Sequence, residues 1–170
     1  MSDAPPPRTG ASSRPETRRR TVVLLVGAAG LAAVDLIVKA VAEARLASGE
    51  AVDLGLLMLR LHHNPGVAFS LGAGLPGWVV IAATGLIIAG LTWYLLIAVP
   101  TLTRLTRVGA TLLLGGAIGN FLDRLDGDGV VDYLHTGWFP TFNLADVFVT
   151  TGVVALLVGT MVPPRTEDHA

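Results

Sequence analysis

Two aspartates stand where an apolar chain can least easily hold them. Asp123 closes the segment GGAIGNFLDRL, and Asp146 opens FNLADVFVTTGVVALLVG. A carboxylate in hydrocarbon is costly, so an ionisable residue in a membrane span is by default a functional candidate. Two carboxyls sharing one proton can activate water and polarise a carbonyl, the equipment of an aspartic protease. Each aspartate follows an asparagine by three residues, Asn120 and Asn143, one helical turn away. Arg124 offers a guanidinium that would favour an ionised carboxylate nearby. Asp35 and Lys39, four apart, can pair on one helical face. The same spacings fit a buried ion-pair network that merely holds two helices together, and spacing alone does not choose between these readings.

Other chemistries have less to work with. The chain has no cysteine, which removes disulfides, thiolate catalysis and cysteine-ligated metals. Adjacent His62 and His63 would point apart on a strand and lack a well-spaced third ligand, so neither a metal nor another cofactor is expected. No serine carries a nucleophile-elbow pattern. Gly115, Gly116 and Gly119 follow no strand and precede no Gly-Lys-Ser/Thr, so a phosphate loop is not indicated. Gly115-x-x-x-Gly119 reads instead as small-residue packing that would bring the two aspartate-bearing helices together. A net charge of −1 gives no reason to expect a nucleic-acid partner.

The elements that must carry these residues are apolar and long. Hydrophobic residues make up 52% of the chain and charged ones 15%, against about 25% charged in an average soluble domain. Four stretches approach the ~20 apolar residues that span a bilayer: 21–44, 78–99, 108–125 and 142–162. Residues 1–20, with Pro5, Pro6, Pro7 and Pro15, are expected to be a disordered tail, as are 163–170. Arg8, Arg14, Arg18, Arg19 and Arg20, then Arg104 and Arg107, then Arg165 mark three cytoplasmic segments, so both termini are expected inside. The polar residues Asp35, Lys39, Asn64, Asn120, Asp123, Arg124, Asn143 and Asp146 then gather at the opposite face. Trp78, Trp138 and Tyr133 are expected as headgroup-level anchors there, and Trp93 and Tyr94 inside. Residues 51–61 alternate weakly and could form strands of a small sheet on the membrane. An N-terminal signal peptide ending at Ala42-Glu43-Ala44 is the alternative for the first span, but the Asp35–Lys39 pair suits a retained helix.

Read together, the blocks VDLIVKA, NPGVAFSL, GGAIGNFLDRL, VVDYL and FNLADVFVTTG resemble the lipoprotein signal peptidase (signal peptidase II) family, in its order and over about residues 22–162. Each block alone is weak, and five in order are specific. Leu36 departs from the glutamine often found after the first aspartate. The resemblance implies an all-α membrane protein with four transmembrane helices, a small β-cradle and a short helix on the extracytoplasmic face. It implies an aspartic endopeptidase of the bacterial cytoplasmic (inner) membrane. That enzyme would cut diacylglyceryl-modified prolipoproteins just before the lipidated cysteine and be inhibited by globomycin. Asp123 and Asp146 would be the catalytic pair. Asn64, Gly66, Phe69, Asn120, Arg124, Asp132, Asn143, Ala145, Asp35 and Lys39 would bind substrate or support the pair. Four spans suffice for a monomer in contact with membrane lipids. A proton-coupled carrier or a scaffold held by its charges are the competing classes. Against the carrier, the polar groups lie on one side and no internal repeat is evident.

Overall fold

The structure, a computed structural model, describes residues 14–65 and 74–161. Gly66, Phe69, the residues before Arg14 and those after Met161 lie outside them. Helix α1 is Arg14–Leu46, strands β1 and β2 are Val52–Asp53 and Met58–Asn64, and α2 is Gly77–Ala98. A 3-10 turn, Val99–Thr101, leads to α3, Arg104–Arg124, followed by β3, Val130–His135, and α4, Leu144–Met161. All four helices are long and apolar enough to cross a membrane. The strands form one antiparallel sheet in the order β1-β2-β3.

Helix α3 sits centrally, packed on α1, α2 and α4. It is the least apolar of the four, with a peak hydropathy of 1.3 against 1.9–2.4 for the others. A helix surrounded by protein does not need lipid-facing side chains on every side. Glycines set its distances to its neighbours. A Cβ on Gly115 would sit 2.9 Å from Ala28 O of α1, and one on Gly152 of α4 would sit 2.5 Å from Leu113 N. The expectation for Gly115-x-x-x-Gly119 therefore needs correction. That pair faces α1, with Gly119 against Asp35, whereas Gly109, Gly116 and Gly152 bring α3 to α4.

Residues 14–20, expected to be disordered, are the first turns of α1. Pro15 is tolerated in a first turn, where its missing N–H has no intrahelical partner. Glu16 favours the helix N-terminus and pairs with Arg20 one turn on. At 33 residues α1 is about 50 Å long, well beyond the ~30 Å hydrocarbon thickness. Helix α3 likewise starts earlier than position 108, because Thr103 caps it by accepting from Thr106 N at 3.2 Å. Helix α4 starts later than position 142, because Phe142 pairs with Leu134 of β3 before the helix begins.

Strand β3 was not foreseen, and it brings Asp132 over the bundle. It is buried over Val130–Tyr133, and Val131 and Tyr133 pack with Ala42 and Leu46 at the end of α1. Tyr133 is therefore a core residue beneath the sheet and not an interface anchor, whereas Trp78 and Trp138 are 71% and 84% exposed. Gly129 makes the entry to β3 possible. Its φ is +101°, and a Cβ there would lie 2.5 Å from Asn64 O. No short helix on the sheet side of the bundle occurs among the described residues.

Candidate active site

The polar residues meet where the sheet covers the bundle. Asn143 and Asp146 do not share a helical face as their spacing suggested. Asn143 is the residue before α4, and its Oδ1 accepts from Asp146 N at 3.0 Å. Asp146 Oδ2 in return accepts from Asn143 N at 3.2 Å. This reciprocal pair is a capping box, and it fixes the carboxylate at the helix N-terminus, where the helix dipole favours negative charge. The other oxygen of Asp146 accepts from Asn120 Nδ2 of α3 at 2.9 Å.

Asn143 also reaches Asp132. Its Nδ2 donates to Asp132 Oδ1 at 2.7 Å, and Asn64 Nδ2 of β2 donates to Asp132 Oδ2 at 3.3 Å. One buried asparagine thus holds Asp132 by its side chain and Asp146 by its backbone. Burial pushes the Asp132 carboxyl up to about 6, and the nearby charge of Asp146 pushes in the same direction. The hydrogen bonds from Asn64 and Asn143 oppose the rise, since both favour the ionised form.

Lys39 is the hub below them. Its Nζ donates to Asn120 Oδ1 at 2.7 Å and lies 2.9 Å from Asp35 Oδ2 and 3.0 Å from Asp123 Oδ2. The contact to Asp35 is an ion pair within α1, one helical turn apart. An ammonium has donors and no acceptor, so Asn120 must turn its oxygen to Lys39 and its NH2 to Asp146. Asp35 Oδ1 accepts from Ala145 N at 2.8 Å, so an α1 carboxylate caps α4. Asp35 and Lys39 are fully enclosed, with 0% and 1% exposure.

Asp123 is occupied elsewhere. Its Oδ2 accepts from Val131 N at 2.8 Å, tying the end of α3 to the strand that carries Asp132. Among the described residues Asp123 and Asp146 share no hydrogen bond; Lys39 and Asn120 stand between them. A cavity of about 910 Å³ opens beside the cluster. Asp132, Asp146, Asn64, Asn120 and Arg124 line it, and Asp123, Asp35 and Lys39 do not. Thr84, Ile87 and Ile88 of α2, Phe121 of α3 and Val147, Val149 and Thr150 of α4 form its apolar walls. Arg124 lies within electrostatic reach of Asp123, Asp132 and Asp146. The pairing of Asp123 with Asp146 drawn from the sequence therefore gives way, in geometry, to Asp132 with Asp146. Asp132 was legible only as a supporting residue, because its partner comes from an unforeseen strand. Among the described residues no three histidine, aspartate or glutamate side chains form a metal-binding group.

Comparison with known proteins bears on the family and the fold. Residues 27–162 match the family described as signal peptidase (SPase) II. A lipoprotein signal peptidase of Rhodococcus jostii is 34% identical, over 92% of this chain and 81% of its own. One from Gloeobacter violaceus is 40% identical, over 81% of this chain and 79% of its own. The fold matches a bacterial membrane enzyme solved by the in meso method at 2.3 Å resolution, with a TM-score of 0.71 and 24% identity, over 87% of this chain and 94% of the other. With four spanning helices, a three-stranded sheet over one end and a family match across the whole bundle, the chain is a multi-pass bacterial membrane protein that belongs to the signal peptidase II family.

Proposed function

We propose that this chain is an aspartic endopeptidase that removes signal peptides from diacylglyceryl-modified prolipoproteins, with Asp132 and Asp146 as the reacting pair. The observation that carries the reading is the convergence of these two carboxyls on one cavity, coupled through Asn143. Below about pH 6 Asp132 holds the proton, because burial and the neighbouring charge both disfavour its ionised form. Asp146 is the base, positioned by Asn120 and by the N-terminus of α4. Asp146 takes a proton from water as the oxygen attacks the scissile carbonyl. Asp132 gives its proton to the carbonyl oxygen, so the charge developing there is neutralised. When the tetrahedral intermediate collapses, that proton returns to Asp132 and the proton on Asp146 goes to the leaving amine. Both carboxyls then regain their starting states.

The family resemblance supplies the substrate and the position of the cut, just before the lipidated cysteine. The apolar walls of α2, α3 and α4 offer the area on which acyl chains would bind. Arginines at the start of α1 and α3 support an orientation with both termini in the cytoplasm. The sheet and the site then lie at the extracytoplasmic face. Monomeric action and inhibition by globomycin-type peptides belong to the same proposal.

The purified full chain should cut a lipid-modified precursor peptide and leave its unlipidated form largely intact. Its kcat/KM should fall as pH rises through about 6, the value to which Asp132 is raised from 3.8, although the apparent pKa belongs to the pair. The sign follows from the proton that Asp132 must carry. For stability the same carboxyl favours folding below 3.8 and stops doing so as pH passes about 6. Asn64→Leu removes a hydrogen bond that favours ionised Asp132, so the falling limb should move to higher pH. A limb that moves to lower pH, or a chain that cuts both peptides equally, contradicts the assignment.

A further inference from the structure

At the end of the bundle away from the sheet, α1 and α3 leave a second groove of about 460 Å³. Its walls are apolar, with Val23 and Leu31 from α1 and Val108 and Leu112 from α3. Its mouth carries Arg104 and Arg107. Arg104 lies about 24 Å along α3 from Asn120, so the groove is separated from the catalytic cavity by most of the bilayer.

The chemistry of the groove names its occupant. Val23 and Val108 are 60% and 56% exposed on helices that cross a membrane, so lipid is their solvent. None of the described residues lining the groove is acidic, and neither guanidinium has an ion-pair partner among the described residues. Glu16 pairs with Arg20 and reaches Arg107 only through space, where the charges of Arg20 and Arg104 outweigh it. Two cations over an apolar slot match an anionic head joined to an acyl chain, and basic pockets between spanning helices hold such headgroups. We propose that this groove binds one anionic glycerophospholipid, with its phosphate on Arg104 and Arg107 and an acyl chain between α1 and α3. With the orientation above, the lipid comes from the cytoplasmic leaflet, and its site is independent of the peptidase reading.

The full-length protein can be reconstituted in an equimolar mixture of phosphatidylglycerol and phosphatidylcholine, then extracted and weighed by native mass spectrometry with its retained lipids. The unaltered chain should retain phosphatidylglycerol preferentially. Arg104→Gln with Arg107→Gln should lower that preference by about fivefold per arginine, the factor that corresponds to ~1 kcal/mol for each basic residue near the membrane surface. Val108→Trp leaves both charges in place and fills the slot, and it should lower retention as well. Arg18→Gln with Arg19→Gln removes two exposed charges outside the groove and should retain the preference. The proposal is overturned if the groove pair keeps the full preference, if the control pair loses as much, or if Val108→Trp has no effect. A dimer that Val108→Trp dissolves, without lipid enrichment, would put a second protein helix in the slot and also overturn it.

Discussion

Asp132→Asn and Asp146→Asn should each yield a folded, inserted protein that leaves lipid-modified precursor uncut, with kcat lower by about 10²–10⁴, the range that general acid–base groups supply. Asparagine matches aspartate in size and keeps one acceptor oxygen, so one of the two hydrogen bonds that each carboxyl accepts can persist. Neither amide can hold and return the proton. Asp123→Asn is the discriminating variant. Its carbonyl can still accept from Val131 N, which keeps β3 against the end of α3. It lies off the cavity, so its rate should stay within about tenfold of the parent while its stability falls through the lost charge opposite Lys39. Single-turnover cleavage of one lipidated peptide by the three variants reads this directly. An Asp123→Asn as dead as Asp146→Asn, with Asp132→Asn active, would restore the pairing drawn from sequence.

The largest effect on stability is expected at Lys39. Replacing it by methionine keeps the volume but leaves Asp35 and Asp123 as buried carboxylates without their cation. Breaking a buried pair in this way costs about 3–5 kcal/mol. Thermal unfolding in detergent should show the loss. A second variant that adds Asp35→Asn and Asp123→Asn should recover part of it, because the uncompensated charges are then gone. Activity separates the two roles of Lys39. The recovered triple variant should remain slow, because Asn120 keeps only Asn143 of the two donors that fix its amide toward Asp146. If restored stability also restores the parent rate, Lys39 acts on the fold alone.

The four spans and the gathering of polar groups were legible in the sequence, because hydropathy and charge bias act over long stretches. The roles within the cluster were not. The Asn143–Asp146 spacing looks the same for one helical face as for a capping box, and only the Phe142–Leu134 bridge decides that Asn143 stands outside the helix. Asp132 was legible as a supporting residue only, because β3 is buried along Val130–Tyr133 and shows no alternation; it is a strand because β2 pairs with it across a distant part of the chain. Asp123 was read with Asp146 from their common depth at one end of the spans and from the family resemblance. In the structure Asp123 Oδ2 meets Val131 N and Lys39, contacts that local spacing cannot reveal. The glycines were read correctly as packing residues and assigned to the wrong neighbour, since a three-residue interval does not say which helix lies opposite.

The hydrogen bond from Ala145 N to Asp35 joins residues 110 positions apart. It has a consequence for the birth of the protein. The first helix to enter the membrane carries Asp35 and Lys39, and the last carries Asn143 and Asp146. Until α4 has left the ribosome and docked, Asp35 has no helix to cap, Asn120 has no Asp146 to orient, and Asp132 lacks its donor from Asn143. A chain still in synthesis can therefore pair Lys39 with Asp35 and Asp123, but the polar cluster around Asp132 and Asp146 is complete only when the final helix seats.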